Sequence, residues 1–241
     1  MTEVQRGMEV VAKFIEELAD VGAAQHDSTL AKVFRGHANG QWHLTPSAFR
    51  PGGERGIRND EALQRWIRMA SPVVPTWPQN QIEWIALAQH HGIPTGLLDW
   101  SLNPLIGLYF ASGKHPKDAQ GPGHAGCVWM LDTTKCDQFT HTLMVDPFQV
   151  DREKPAFLPV LGANLRAKAQ FGAMTLHATR ESDQGARFPE GCVRKVFELP
   201  AADKHPVRRA LGVLGIASRT VFGDLEAAAD DFRNRVMKLG K

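Results

Sequence analysis

The residues of this chain able to do chemistry fall in four stretches. The first is Arg35, near the end of the apolar run Lys32-Val33-Phe34-Arg35-Gly36 and just before the polar turn His37-Ala38-Asn39-Gly40. A guanidinium at a strand end can grip a phosphate or carboxylate through two parallel N–H groups; its plainer use is a structural ion pair with an acid such as Asp99. The second is the pair His90-His91, placed where a helix ends. The partial negative charge there favours imidazolium and suits acid–base work. Adjacent helical residues point about 100° apart, so the pair is a poor ligand set for one metal ion, and one His is expected to pack under the following loop with a backbone hydrogen bond. The third is Asp99-Trp100-Ser101, followed by Asn103-Pro104. A strand running into a helix start turns backbone amides and Ser101 toward a spot that attracts anions, although Asp99 or Ser101 would serve equally as a helix cap. Trp100 either stacks on a ligand ring or fills the core. Further on, Gln170 lies between Arg166 and Gly172, where an amide can meet a ligand or hold two strands together.

These residues need elements to position them. Val4, Met8, Val11, Phe14, Ile15 and Leu18 recur at three- and four-residue steps, which predicts an amphipathic helix from Glu3 to Val21. The run at Lys32–Gly36 predicts a strand. Asn59 or Asp60 caps a helix carrying Leu63, Trp66, Ile67 and Met69, which stops at Pro72, Pro75 and Pro78. Asn80 caps another, ending at His90-His91-Gly92 with Pro94 just beyond. Thr95–Trp100 reads as a strand, Leu105 to about Ser112 as a helix, Cys127–Leu131 and Cys192–Leu199 as strands, and Ala201–Leu214 and Leu225–Leu239 as helices.

With 241 residues, 43% of them hydrophobic, the chain can bury one core. The expectation is a single α/β (α+β) domain, with a modest mixed or antiparallel sheet surrounded by several helices. A net charge of +2 neither demands nor excludes a polyanionic partner. Cys127, Cys136 and Cys192 form no C-x-x-C pair and are odd in number, which argues against a disulfide framework and a structural zinc site, and for a reducing, cytoplasmic setting. No apolar run is long enough to span a membrane. Arg50, Arg55 and Arg58, with Trp42 and Trp66, suit either a nucleic-acid track or a solvated loop.

The string Val33-Phe34-Arg35-Gly36-His37, with Trp42-His43-Leu44-Thr45-Pro46-Ser47-Ala48-Phe49-Arg50, resembles the opening of the FRG domain family. The run Ala88-Gln89-His90-His91-Gly92-Ile93-Pro94-Thr95-Gly96-Leu97-Leu98-Asp99-Trp100-Ser101, then Asn103-Pro104 and Ala111, resembles its central signature. Gly126–Asp132, Arg166 with Gln170-Phe171-Gly172, Gly215-Ile216 and Phe222–Leu225 are similar to later blocks, so the resemblance covers roughly residues 30 to 232. It implies residues 1–29 as an N-terminal helix and linker and 30–241 as the domain. Gly96 departs from the family, which usually carries arginine there.

The order of an arginine strand, an Asp-Trp-Ser strand feeding a helix, and a Gln-bearing strand is similar to the layout of arginine–serine–glutamate ADP-ribosyltransferases. That likeness implies NAD as substrate, without a metal, in a bacterial toxin or antiviral-defence setting. Catalysis would rest on Arg35, His90, His91, Asp99, Ser101 and Gln170, and dinucleotide binding on Arg35, Gly36, Thr95, Trp100, Ser101 and Arg166. Gln170 lacks the charge that stabilises an oxocarbenium-like transition state, so Asp99 would have to supply it or binding alone would remain. Two other classes fit the same residues: a module that binds or hydrolyses a nucleotide or nucleic acid, with His90 or His91 as base and Asp99 orienting it, and a non-enzymatic scaffold. The acceptor would be a protein or a nucleic acid.

Overall fold

A computed structural model of the chain describes residues 1–22, 32–113, 123–138, 145–149, 154–158, 172–177, 188–223 and 225–233. Among these residues seven strands, β1 (Lys32–His37), β2 (Leu97–Ser101), β3 (Gly126–Asp132), β4 (Asp137–Gln138), β5 (Ala156–Leu158), β6 (Gly172–Leu176) and β7 (Val193–Leu199), form one open sheet in the order β4-β5-β6-β2-β1-β3-β7. The two-residue β4 pairs parallel to β5, and every other pair is antiparallel. The expected α/β class with a mixed, largely antiparallel sheet is therefore the observed one.

Side chains alternate across this sheet. Phe34 of β1, Val128 and Met130 of β3 and Phe197 of β7 join a cluster with Val11, Phe14 and Leu18 of α1 (Glu3–Asp20), Ile106 and Leu108 of α4 (Pro104–Ala111), and Val207, Ala210 and Leu211 of α5 (Lys204–Val213). On the same side, Leu97 and Met174 pack with Leu63 of α2 (Asp60–Ala70) and Ile82, Trp84 and Ile85 of α3 (Gln81–His90). The opposite face carries Val33, Leu98, Trp100, Leu131, Phe157 and Ala173, joined there by Leu44, Cys136 and Cys192.

Local chemistry sets the ends of these elements. Thr2 and Gln5 form a capping box at the start of α1, which buries Val11, Phe14 and Leu18 of its predicted stripe, half-buries Val4 and Met8, and leaves Ile15 exposed. Asn59, Asn80 and Asn103 accept from backbone amides as N-caps of α2, α3 and α4, and Pro104 takes the first helical position of α4. At the end of α3, Gly92 adopts φ +80° and donates to Gln89, while Ile93 donates to Ala88. That pair of bonds satisfies the last helical carbonyls and releases the chain toward β2. α3 is apolar on most sides because it lies between α2 and the sheet.

Two differences from the sequence reading have physical causes. Ala201–Leu214 begins as a 3-10 turn at Ala201–Asp203 before α5, with Pro206 in the first turn of that helix. The strand expected around Gln170 is described from Gly172 as β6, next to β2, while β4, β5 and the short helix α6 (Ser218–Phe222) were not foreseen, since so few residues cannot show a period. The last helix, α7, is described over Leu225–Phe232, and the rest of the predicted span to Leu239 lies outside the described residues.

Candidate functional site

β1 and β2 share a single registered pair, Phe34 with Ser101, although β1 pairs with β3 over six residues and β2 with β6 over five. Beyond that pair the C-terminal half of β1 and the N-terminal half of β2 run on without registered partners in each other. The backbone between two central strands is thus left for other groups to satisfy.

Arg35 is one of those groups. Its Nη1 donates to the Asp99 carbonyl oxygen at 2.6 Å, and its Nε donates to His37 Nε2 at 3.1 Å. The anticipated Arg35–Asp99 ion pair is therefore a bond to the backbone. Nη2 makes no hydrogen bond among the described residues. Burial pulls the guanidinium below its ordinary pKa, the Asp99 charge opposes that, and Arg50 adds to it.

His37 holds the guanidinium in place. Only 5% exposed, it offers Nδ1 to the Trp42 carbonyl at 3.3 Å, so that Nε2 is left as acceptor for Arg35. Burial, and after it the charge of Arg35, drops its pKa to about 3, with the Trp42 carbonyl opposing and Arg50 and Lys195 contributing to the fall. His37 is therefore neutral at physiological pH, facing three cations. The Trp42 ring, 41% exposed, stands edge-on to it with ring centroids 6.1 Å apart.

The Asp99 carboxylate belongs to a second network. By strand alternation it points to the α3 side of the sheet, where Gln89 Nε2 lies 2.7 Å from both of its oxygens. Thr95 donates its hydroxyl to Gln89 Oε1 and accepts from the Leu97 amide. The Thr95 amide in turn donates to the Ser47 hydroxyl, and its carbonyl accepts from the Ala48 amide. The segment from Asn39 to Arg50 is thereby tied to the start of β2 at one end and to His37 at the other, across the parted strands. Arg50 donates to the Thr45 carbonyl and is otherwise exposed.

The structure thus brings Arg35, Asp99 and Thr95 into two joined networks but gives other predicted residues structural work. Ser101 is buried, and its hydroxyl accepts from the amide of Asn103, the N-cap of α4 two residues on. Trp100 is buried, with its indole N–H donated to Thr175. Gly36 serves packing: a Cβ there would sit 1.9 Å from the Gly107 carbonyl oxygen of α4. His90 is half-buried and His91 exposed, with their rings edge to face at 5.1 Å, and both Asp99 oxygens are taken by Gln89. Arg166 and Gln170 lie outside the described residues. Of the surface arginines, Arg58 stacks over the Phe49 ring, while Trp66 donates to the Trp84 carbonyl. No group of three or more His, Cys, Asp or Glu among the described residues could hold a metal ion. No helix there is long and apolar enough to cross a membrane.

Sequence reasoning missed His37, Gln89 and Lys195. The alternation of β1 carried a signal for the first, since His37 lies two residues from Arg35 and shares its face. Lys195 donates to the Gly40 carbonyl and covers the Trp129 ring from β7, a relation that only the sheet order creates.

Among known proteins, the family model of the FRG domain matches residues 31–120 of this chain. That span runs from β1 through α4 and contains both networks, while Gly126–Asp132 and the later resembling blocks lie beyond it. No curated protein and no solved structure matches the chain.

Proposed function

Proceeding from a chain that carries an FRG domain in residues 31–120, we propose that it is a nucleotide-binding module whose ligand phosphate docks on Arg35 at the parted strands. The carrying observation is the fixed guanidinium. Two acceptors hold its Nε and Nη1, which leaves Nη2 for an anion without the entropy cost of ordering a long side chain. Arg50 and Lys195 add charge, and neither they nor Arg35 enter an ion pair among the described residues. Trp42, 41% exposed beside His37, is the aromatic ring a base would meet there.

NAD is the ligand to try first, and ADP-ribosyl transfer is the finer reading of the same site. The bond broken would be the one joining nicotinamide to ribose, with nicotinamide leaving and an acceptor nucleophile taking its place. Asp99 would supply negative charge only through its field, which already reaches Arg35 from the α3 side of the sheet where Gln89 holds both carboxylate oxygens. Ser101 takes no part in this proposal because its hydroxyl is buried in the turn before α4.

Calorimetric titration of ADP and of NAD into the wild type and Arg50→Ala tests the binding claim. Both ligands should bind the wild type, and Arg50→Ala should weaken them about tenfold without altering the melting temperature. An absence of both heat and thermal shift at millimolar ligand would end the proposal. Release of nicotinamide from NAD, followed chromatographically, separates transfer from binding alone.

A further inference from the structure

Cys136 and Cys192 are far apart in sequence yet their sulfurs lie 3.9 Å apart, buried in the cluster on the loop face of the sheet. Cys136 follows the 3-10 turn Thr133–Lys135 that leaves β3, and Cys192 ends the turn that enters β7. The Asp132 amide donates to the Cys192 carbonyl at 2.8 Å, so the two backbones are already fastened beside the sulfurs. The third cysteine, Cys127, sits elsewhere, on β3 in register with His37.

We propose that Cys136 and Cys192 are a dithiol site that forms a reversible disulfide with a small-molecule disulfide oxidant of the glutathione class. A disulfide bond is about 2.0 Å long, so the sulfurs, 3.9 Å apart, must close by about 1.9 Å. Cys192 is the first nucleophile: hydrogen bonding from Cys136 lowers its pKa, while that same bond raises the Cys136 thiol. Access comes through the turn Pro189–Cys192, in which Glu190 and Gly191 are exposed. The Cys192 thiolate attacks the oxidant and releases one small thiol. Cys136, deprotonated, then attacks the mixed disulfide and releases the second. The two protein thiols lose two electrons and two protons, and the oxidant becomes two thiols.

The bond would close the stretch of chain that contains β4, β5 and β6, tying off the half of the sheet beyond β2. Loop closure of this length restricts the unfolded chain strongly, so oxidation should raise the melting temperature by about 5 °C or more.

The test is to incubate the whole chain with oxidised glutathione under native conditions, alkylate remaining thiols in denaturant, digest, and map the peptides by mass spectrometry. A Cys136–Cys192 cross-link, with Cys127 still alkylated, a raised melting temperature, and full reversal by dithiothreitol is the expected result. Cys192→Ser should give neither cross-link nor shift. Glutathione adducts alone, a cross-link through Cys127, or no loss of thiol would each overturn the proposal.

Discussion

His37 reports on the site through its protonation. Its folded pKa, about 3, lies below the ordinary value near 6.5, so the unfolded chain binds more protons between those limits. Stability contributed by the neutral ring is present above pH 6.5 and is lost as the pH falls toward 3. Acidification from pH 7 to 4.5 should cost the wild type about 2 to 3 kcal/mol more than it costs His37→Asn, as read from urea unfolding. Gly36 predicts the opposite kind of effect, independent of pH. A methyl group there strikes the Gly107 carbonyl, so Gly36→Ala should lose about 3 kcal/mol or more in the same assay. The Phe-Arg-Gly triplet thus divides its work: Phe34 fills the helix-side core, Gly36 lets α4 approach, and Arg35 alone faces the parted strands. From the sequence Arg35 was legible as a cation near a strand end, whereas the close approach of α4 to Gly36 was not, because nothing in a linear string shows which helix lies over it.

At the scale of elements, what could be read in advance was what is written locally. The asparagine caps, the glycine stop after α3 and the stripe of α1 all follow from contacts within a few residues. Asn103→Ala is accordingly expected to cost about 1 kcal/mol. It also removes the side-chain acceptor of the Leu105 amide, so that amide at the start of α4 should exchange hydrogen faster. The place of β6 beside β2 and the parting of β1 from β2 were not legible, because strand order and register are set by partners distant in sequence. Helix α1 shows the same dependence from the other side. Its periodicity announced the buried face, but the glycine that brings it against α5, Gly7, is explained only by the Pro206 carbonyl 2.1 Å from a would-be Cβ.

For the molecule as a whole, a net charge of +2 conceals a local excess of positive charge around His37. Exposed charges are screened over about 10 Å at 0.1 M salt. Nucleotide affinity should therefore weaken as salt rises, with a shallower slope in Arg50→Ala, while the melting temperature of the free protein changes little. The sheet brings Lys195 of β7 and Trp42 of the segment before Ser47 to the same place, which makes the site a property of the folded chain beyond the span matched by the FRG domain. A crystal structure of the chain soaked with ADP tests this most directly. A phosphate oxygen within hydrogen-bonding distance of Arg35 Nη2, with the base against Trp42, is the predicted result; a nucleotide bound on another face, or an Arg35 untouched at saturating ligand, would contradict it.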